Sequence, residues 1–150
     1  MAGFKGKFEH SIDDKGRVNL PAKLKKYLTP EAADSFVITR GHDLCLYLYP
    51  MDTWSKVEDD LKSRLNVNKE EDRLYLRTLL SNSHEVTLDK QSRIMIPEQL
   101  LTIANIEGAA VIIGSLDKIE IWSPQTFETY LQRFSDMSYE DVASKVMGGM

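Results

Sequence analysis

The sequence predicts an α+β protein, a β-barrel with flanking helices, built from two related halves. Three observations carry this. The nonapeptide DDKGRVNLP, starting at Asp13, returns 76 residues later as DKQSRIMIP, starting at Asp89. Each copy follows a strand-like segment and precedes the same series of helix, strand, turn, strand and helix. Gly and Pro are absent from Asp52 to Asn82, so the stretch joining the halves reads as packed helices rather than a flexible linker.

The first half opens with KFEHSI, Lys7 to Ile12. Phe8, His10 and Ile12 alternate with Glu9 and Ser11, the period of a half-buried strand. Asp13 to Gly16 is a turn, because Asp favours turn entry and Gly16 accepts positive φ near its end. RVNL, Arg17 to Leu20, is a short return strand with Val18 and Leu20 facing different ways from Arg17 and Asn19. Pro21 opens a helix, PAKLKKYL, since proline is tolerated in a first helical turn. FVITRGHDLCLYLYP reads as strand, a turn around Gly41, and strand; Pro50 then starts a helix through Met51, Trp54, Val57 and Leu61.

The second half follows the same plan. HEVTL (His84 to Leu88) is a strand, DKQS a turn, RIMI a strand and PEQLLTIA a helix. AAVIIGSLDKIEIWSP is strand, turn, strand, and Pro124 opens a helix through Phe127, Tyr130, Leu131 and Phe134. At an offset of 76, Ile12, Asp13, Arg17, Val18, Leu20, Pro21 and Leu24 match Leu88, Asp89, Arg93, Ile94, Ile96, Pro97 and Leu100. After a slip of two residues, Val37, Asp43 and Pro50 match Val111, Asp117 and Pro124.

Between the halves, Leu61, Leu65, Leu74, Leu76, Leu79 and Leu80 supply apolar positions of two helices. NVNKEED breaks them, with Asn68 placed to cap the second helix and Glu70, Glu71 and Asp72 favourable in its first turn. The closing GGM reads as a frayed end. Four short strands in about 45 residues are too little for an independent core. Two halves that close one barrel remove exposed sheet edges and imply a pseudo-twofold axis.

Bulk composition narrows the functional classes. With 42% hydrophobic residues the chain can bury a core, and 28% charged residues is ordinary for a soluble protein. No apolar run approaches the ~20 residues of a membrane span, and MAGFKGKFEH has no apolar signal core, so export is not expected. The lone Cys45, inside LCLYLY, excludes an intramolecular disulfide and reads as a buried inert thiol. These features predict a cytoplasmic protein. Net charge is -4, yet residues 1–28 carry a net +4 and the remainder a net -8, an asymmetry suited to an electrostatic binding face.

An enzyme is not expected. His10, His42 and His84 are scattered without metal-ligand spacing, and neither a GxSxG nor a phosphate-loop motif occurs. Adjacent Asp13 and Asp14 at a tight turn read as solvated turn chemistry. No cofactor, metal or small-molecule substrate is expected. A structural oligomer built on Trp54, Tyr75, Trp122, Phe127 and Tyr130 is a further class, although each of these residues also suits a core.

The duplicated turns hold the candidate site. An Asp at turn entry can accept backbone N–H bonds and hold a guanidinium by a forked contact. That leaves other donors of Arg17 and Arg93 for phosphate or guanine edges. Lys15 and Lys90 at the two tips suit phosphate contact, as do Lys5 and Lys7 in the basic N-terminal segment. Asp13, Asp89 and Gly16 position the turns. A single Asp–Arg pair would read as a brace for its turn; the duplication and the basic segment favour nucleic-acid contact.

HSIDDKGRVNLPAKLKKYL, DKQSRIMIPEQL, the hairpin ending LYLYP, and IEIWSPQTFETYL together resemble the MraZ family of the AbrB-like swapped-hairpin superfamily, over nearly the whole chain. The resemblance implies AbrB-like repeats over 7–54 and 83–126, a helical connector over 55–82 and a C-terminal helix and tail over 127–150, the repeats forming one pseudo-twofold barrel. It implies a nucleoid-associated bacterial transcriptional regulator, a repressor of the division and cell-wall gene cluster that includes its own promoter. Members are similar in forming ring-shaped homo-oligomers on short tandem DNA repeats, an octamer being one ring size compatible with this. An AbrB-like assembly module whose main ligand is another protein is the alternative. Asp13 with Arg17, and Asp89 with Arg93, occupy the family's signature positions. Ser92 departs from the pattern, standing where the first turn has Gly16, so the second turn is expected to be shaped differently.

Overall fold

The computed structural model describes residues 3–148. Its first half contains β1 (Lys7–Ser11), β2 (Arg17–Asn19), α1 (Ala22–Lys25), a 3-10 turn (Pro30–Ala32), β3 (Ser35–Arg40), β4 (Leu46–Pro50) and α2 (Met51–Arg64). α3 (Glu70–Ser81) leads to β5 (His84–Thr87), β6 (Arg93–Met95), α4 (Glu98–Ile103), β7 (Ala109–Ser115), β8 (Lys118–Trp122), α5 (Pro124–Gln132) and α6 (Tyr139–Met147). The protein is α+β, and its main sheet is antiparallel.

Strand pairing exchanges the two halves. The main sheet runs β1-β7-β8-β4-β3-β5, and a second ladder joins β2 to β6. β1 therefore pairs with β7 of the other half, while β5 pairs with β3 of the first half. β4 and β8 join the hairpins at the centre, with Leu46 opposite Ile121 and Leu48 opposite Ile119. The return strand expected beside β1 pairs with β6 instead; an isolated bridge, Ile12 to Val18, links it back. Among the described residues the ladders form a six-stranded sheet and a two-stranded ribbon, no ladder joins β1 to β5, and ladder pairing alone does not close a barrel.

One core serves both halves. Val18, Leu20, Leu24, Phe36, Ile38, Leu46 and Leu48 pack with Ile94, Ile96, Leu100, Ile112, Ile119 and Ile121 in a single cluster. The strand alternation drives this: β4 buries Leu46 and Leu48 while Tyr47 and Tyr49 between them stay partly exposed. A smaller cluster on the other side of the sheet joins Cys45, Val111 and Trp122 to Phe127 and Tyr130. Burial pushes the Cys45 thiol up to about 12, consistent with its reading as an inert side chain.

Several boundaries differ from expectation for local reasons. Pro21, Pro50 and Pro97 stand at the N-cap with extended ψ, one position before the helix, whereas Pro124 lies inside its helix and Ser123 supplies the cap. Lys69, not Asn68, is the N-cap of α3; the side chain of Asn66 accepts from the Asn68 backbone, and Asp72 accepts from the Asn66 backbone. The expected C-terminal tail contains a second helix, α6, started by a Ser138–Asp141 capping box. Gly148 closes it in the left-handed region; the rest of the GGM expected to fray, Gly149 and Met150, lies outside the described residues.

Candidate nucleic-acid interface

Each turn is built around one aspartate. Asp13 Oδ1 accepts from the backbone N–H groups of Lys15 (3.0 Å) and Arg17 (2.8 Å), and Oδ2 accepts from Arg17 Nε at 2.6 Å. Asp89 repeats this with Gln91 (2.8 Å), Arg93 (2.9 Å) and Arg93 Nε (2.9 Å). Backbone bonds close both turns identically: Asp13 to Arg17 and Gly16 to Asp13, then Asp89 to Arg93 and Ser92 to Asp89. The backbone N–H of Arg17, foremost, holds the Asp13 carboxyl below its ordinary value, and that of Arg93 does the same for Asp89.

Ser92 does not reshape the second turn. It adopts φ 60°, close to the 79° of Gly16, and keeps the same hydrogen bonds. The reason lies across the pseudo-axis. A Cβ at Gly16 would sit 2.9 Å from the carbonyl oxygen of Ile96 and 3.3 Å from Leu101 Cδ1. The residue that matches Leu101 in the first half is Lys25, and its Nζ donates to Ser92 Oγ at 2.7 Å. The second turn thus faces a hydrogen-bonding partner where the first faces an apolar one. Sequence reading missed Lys25, because its partner lies 67 residues away and no local pattern marks it.

The β2–β6 ladder brings the two turns together. Ile96 donates its backbone N–H to Gly16, and Leu20 donates to Ser92, both at 2.9 Å, so each turn is clipped to the opposite strand. Arg93 Nη1 approaches Asp13 Oδ2 to 4.0 Å, a contact between the halves. The arginine side chains remain 28% (Arg17) and 24% (Arg93) exposed. Each uses Nε for its own aspartate; among the described residues, no Nη group of either makes a hydrogen bond. Those donors are free for a planar acceptor such as phosphate or a base edge.

The lysines fall in two places. Lys15 and Lys90 are exposed at the turn tips beside the arginines. Lys7 opens β1 at the end away from the first turn and Lys5 precedes it, so the five residues of the strand, about 17 Å, separate them from that turn. There Lys5 donates to the Gly3 carbonyl at 2.9 Å and sits over the Tyr27 ring, while Lys7 sits over Phe127. The structure does not bring these two to the arginine face.

The aromatic residues considered for subunit contacts divide as well. Trp54 and Trp122 are buried, whereas Tyr75 is 49% exposed on α3. A cavity of about 340 Å³ brings His84 near Glu58 and Glu85, yet His84 Nε2 is buried without a hydrogen-bond partner among the described residues. Neither carboxylate engages that nitrogen, so no acid–base pair is formed there.

Comparison with known proteins gives a consistent answer. The family model for the MraZ protein matches the chain twice, over residues 4–78 and 79–148, one match for each nonapeptide. A transcriptional regulator MraZ from Natranaerobius thermophilus is 40% identical over 144 residues, covering 96% of both chains. One from Caldanaerobacter subterraneus subsp. tengcongensis is 40% identical over 138 residues, 92% of each. One from Clostridium tetani is 37% identical over 143 residues, 95% of this chain and 96% of its own.

Proposed function

Because the chain belongs to the MraZ family, we propose that it is a transcriptional regulator that binds double-stranded DNA through the face carrying Arg17 and Arg93. The observation that carries this reading is the pair of braced guanidinium groups, set diagonally across the β2–β6 ribbon with Nη donors that make no hydrogen bond among the described residues. A two-stranded ribbon fits the width of a major groove. Lys15 and Lys90 at the tips neutralise phosphates, and Lys5 and Lys7 supply a separate basic patch at the far end of β1.

The regulator acts as a repressor on the division and cell-wall gene cluster, its own promoter included, and associates with the nucleoid of the cytoplasm. It binds short tandem repeats as a ring-shaped homo-oligomer, in which the AbrB-like repeats 7–54 and 83–126 form one pseudo-twofold barrel. Linked copies raise the effective concentration at each next repeat, so a small arginine face suffices per subunit. Exposed apolar side chains support assembly: Leu74 and Tyr75 on α3, and Tyr139, Val146 and Met147 on α6. The same surfaces support the alternative of an assembly module whose ligand is another protein.

Titration against the DNA upstream of its own gene, at several salt concentrations, decides between the two. Selective binding that weakens with salt supports the regulator. Absence of binding at low salt sinks it in favour of the protein-binding module.

A further inference from the structure

The two halves of the arginine face are not equivalent. The β2–β6 ribbon is centred on Val18 opposite Ile94, residues that match at the repeat offset, so the local twofold passes through this pair. Alternation turns both inward, each 2% exposed, and turns Arg17, Asn19, Arg93 and Met95 outward. The register sets Arg17 opposite Met95 and Asn19 opposite Arg93. The axis exchanges the two arginines with each other, but it exchanges Asn19 with Met95. An amide and a thioether therefore occupy the same place in otherwise matching halves.

Both side chains are available to a ligand. Met95 is 54% exposed, and Asn19 is exposed. Asn19 Nδ2 donates to the Gln91 carbonyl at 3.0 Å, which fixes the amide plane; Oδ1 and the second N–H have no partner among the described residues. That pair of groups is the one that pairs with the N6 and N7 atoms of adenine, whereas an apolar side chain suits the thymine methyl. Residues two apart on a strand lie about 7 Å from one another, about two base-pair steps. Along the strands Arg17 and Met95 lie on one side of the axis and Asn19 and Arg93 on the other, so Arg17 and Asn19 address base pairs about two steps apart, as do Arg93 and Met95.

We propose that Asn19 and Met95 are specificity-determining residues, and that their difference makes this pseudo-symmetric face read a non-palindromic base sequence. Asn19 takes an adenine edge on one side of the axis; Met95 packs on a thymine methyl on the other. The tips reinforce the polarity, since Lys15 matches Gln91 and Lys90 matches Asp14. This rests on the DNA-binding reading, and the test separates the two.

Full-length protein is used to enrich binding sites from a pool of random double-stranded DNA. The wild type enriches an element that is not its own reverse complement at the two addressed positions. Met95→Asn, with asparagine on both sides, enriches a palindromic element with adenine in both halves. Asn19→Met loses the adenine preference by about tenfold or more. Exchange of both residues together rotates the protein on its site and restores the wild-type element. A wild-type element that is palindromic at these positions, or one that survives both single substitutions, overturns the proposal while leaving DNA binding intact. No enrichment by the wild type at low salt overturns both. If an exchange variant fails to fold, Asn19→Ala and Met95→Ala are used, and each must lose the preference on its own side of the axis.

Discussion

Asp13 and Arg93 come from different halves of the chain, yet Arg93 Nη1 lies 4.0 Å from Asp13 Oδ2, the oxygen that already accepts from Arg17 Nε. No matching approach of Arg17 to Asp89 occurs among the described residues. One carboxylate thus influences both guanidinium groups, and the other influences one. Asp13→Asn is expected to move the Nε–H NMR signals of both Arg17 and Arg93, whereas Asp89→Asn moves mainly that of Arg93. Equal and purely local changes in the two variants would remove the shared role of Asp13.

Arg17→Ala removes Nη donors that make no hydrogen bond among the described residues. DNA affinity should fall by about tenfold or more, the range for a bidentate base contact. The fold should persist, because Val18 and the rest of the buried ribbon are untouched. Lys15→Ala should instead weaken all DNA alike and reduce the slope of log affinity against log salt by about one unit. An unaltered slope counts against a phosphate contact at the first tip.

The two turns should respond differently at their fourth position. Gly16→Ala places a Cβ 2.9 Å from the Ile96 carbonyl oxygen at φ 79°, so a loss of about 1–2 kcal/mol or more is expected. Ser92→Ala keeps a residue already held at φ 60° but removes the bond from Lys25, costing about 1 kcal/mol. Ser92→Gly loses the same bond and gains relief of backbone strain, so its unfolding midpoint should lie above that of Ser92→Ala. Chemical denaturation of the three variants checks the order; Gly16→Ala as stable as wild type would contradict it.

Acid should loosen both turns. The folded values of Asp13 and Asp89 lie below the ~3.9 of an unfolded chain. Their contribution to stability is complete above that value and is lost as pH falls through the lowered folded values. The gap in denaturation midpoint between wild type and an Asp13→Asn, Asp89→Asn double variant should hold from pH 7 to about 5 and narrow below about 4. A gap that widens on acidification would reverse the assigned direction.

The local grammar of this fold is legible in the chain. Alternation identifies Phe8, Val18 and Ile94, and the Asp–Arg turns announce their own hydrogen bonds. What stays hidden is partnership. Nothing near Lys7 indicates that it pairs with Ile113, because an antiparallel register between distant strands is set by the shared core. The expectation about Ser92 failed for the same reason: the local rule on positive φ was applied without Lys25. Asn68 lost the cap to Lys69 because Asn66 and Asp72 organise the preceding loop instead. The α6 helix is legible in the Ser138–Asp141 spacing and in Tyr139, Val142, Ala143, Val146 and Met147, which recur at i, i+3, i+4, i+7 and i+8; a reading of 127–150 as one helix and a tail passes over that period.

The exchange of β1 and β5 has a consequence for biosynthesis. The chain leaves the ribosome N-terminus first, so β1 emerges about a hundred residues ahead of β7, the strand it pairs with. At ~5–20 residues per second that interval is roughly 5–20 s, long compared with the microseconds in which a local hairpin closes. The β3–β4 hairpin and α2 can form in that time, while the first strand waits with its backbone unpaired. A strand made long before its partner is thus among the last to be secured.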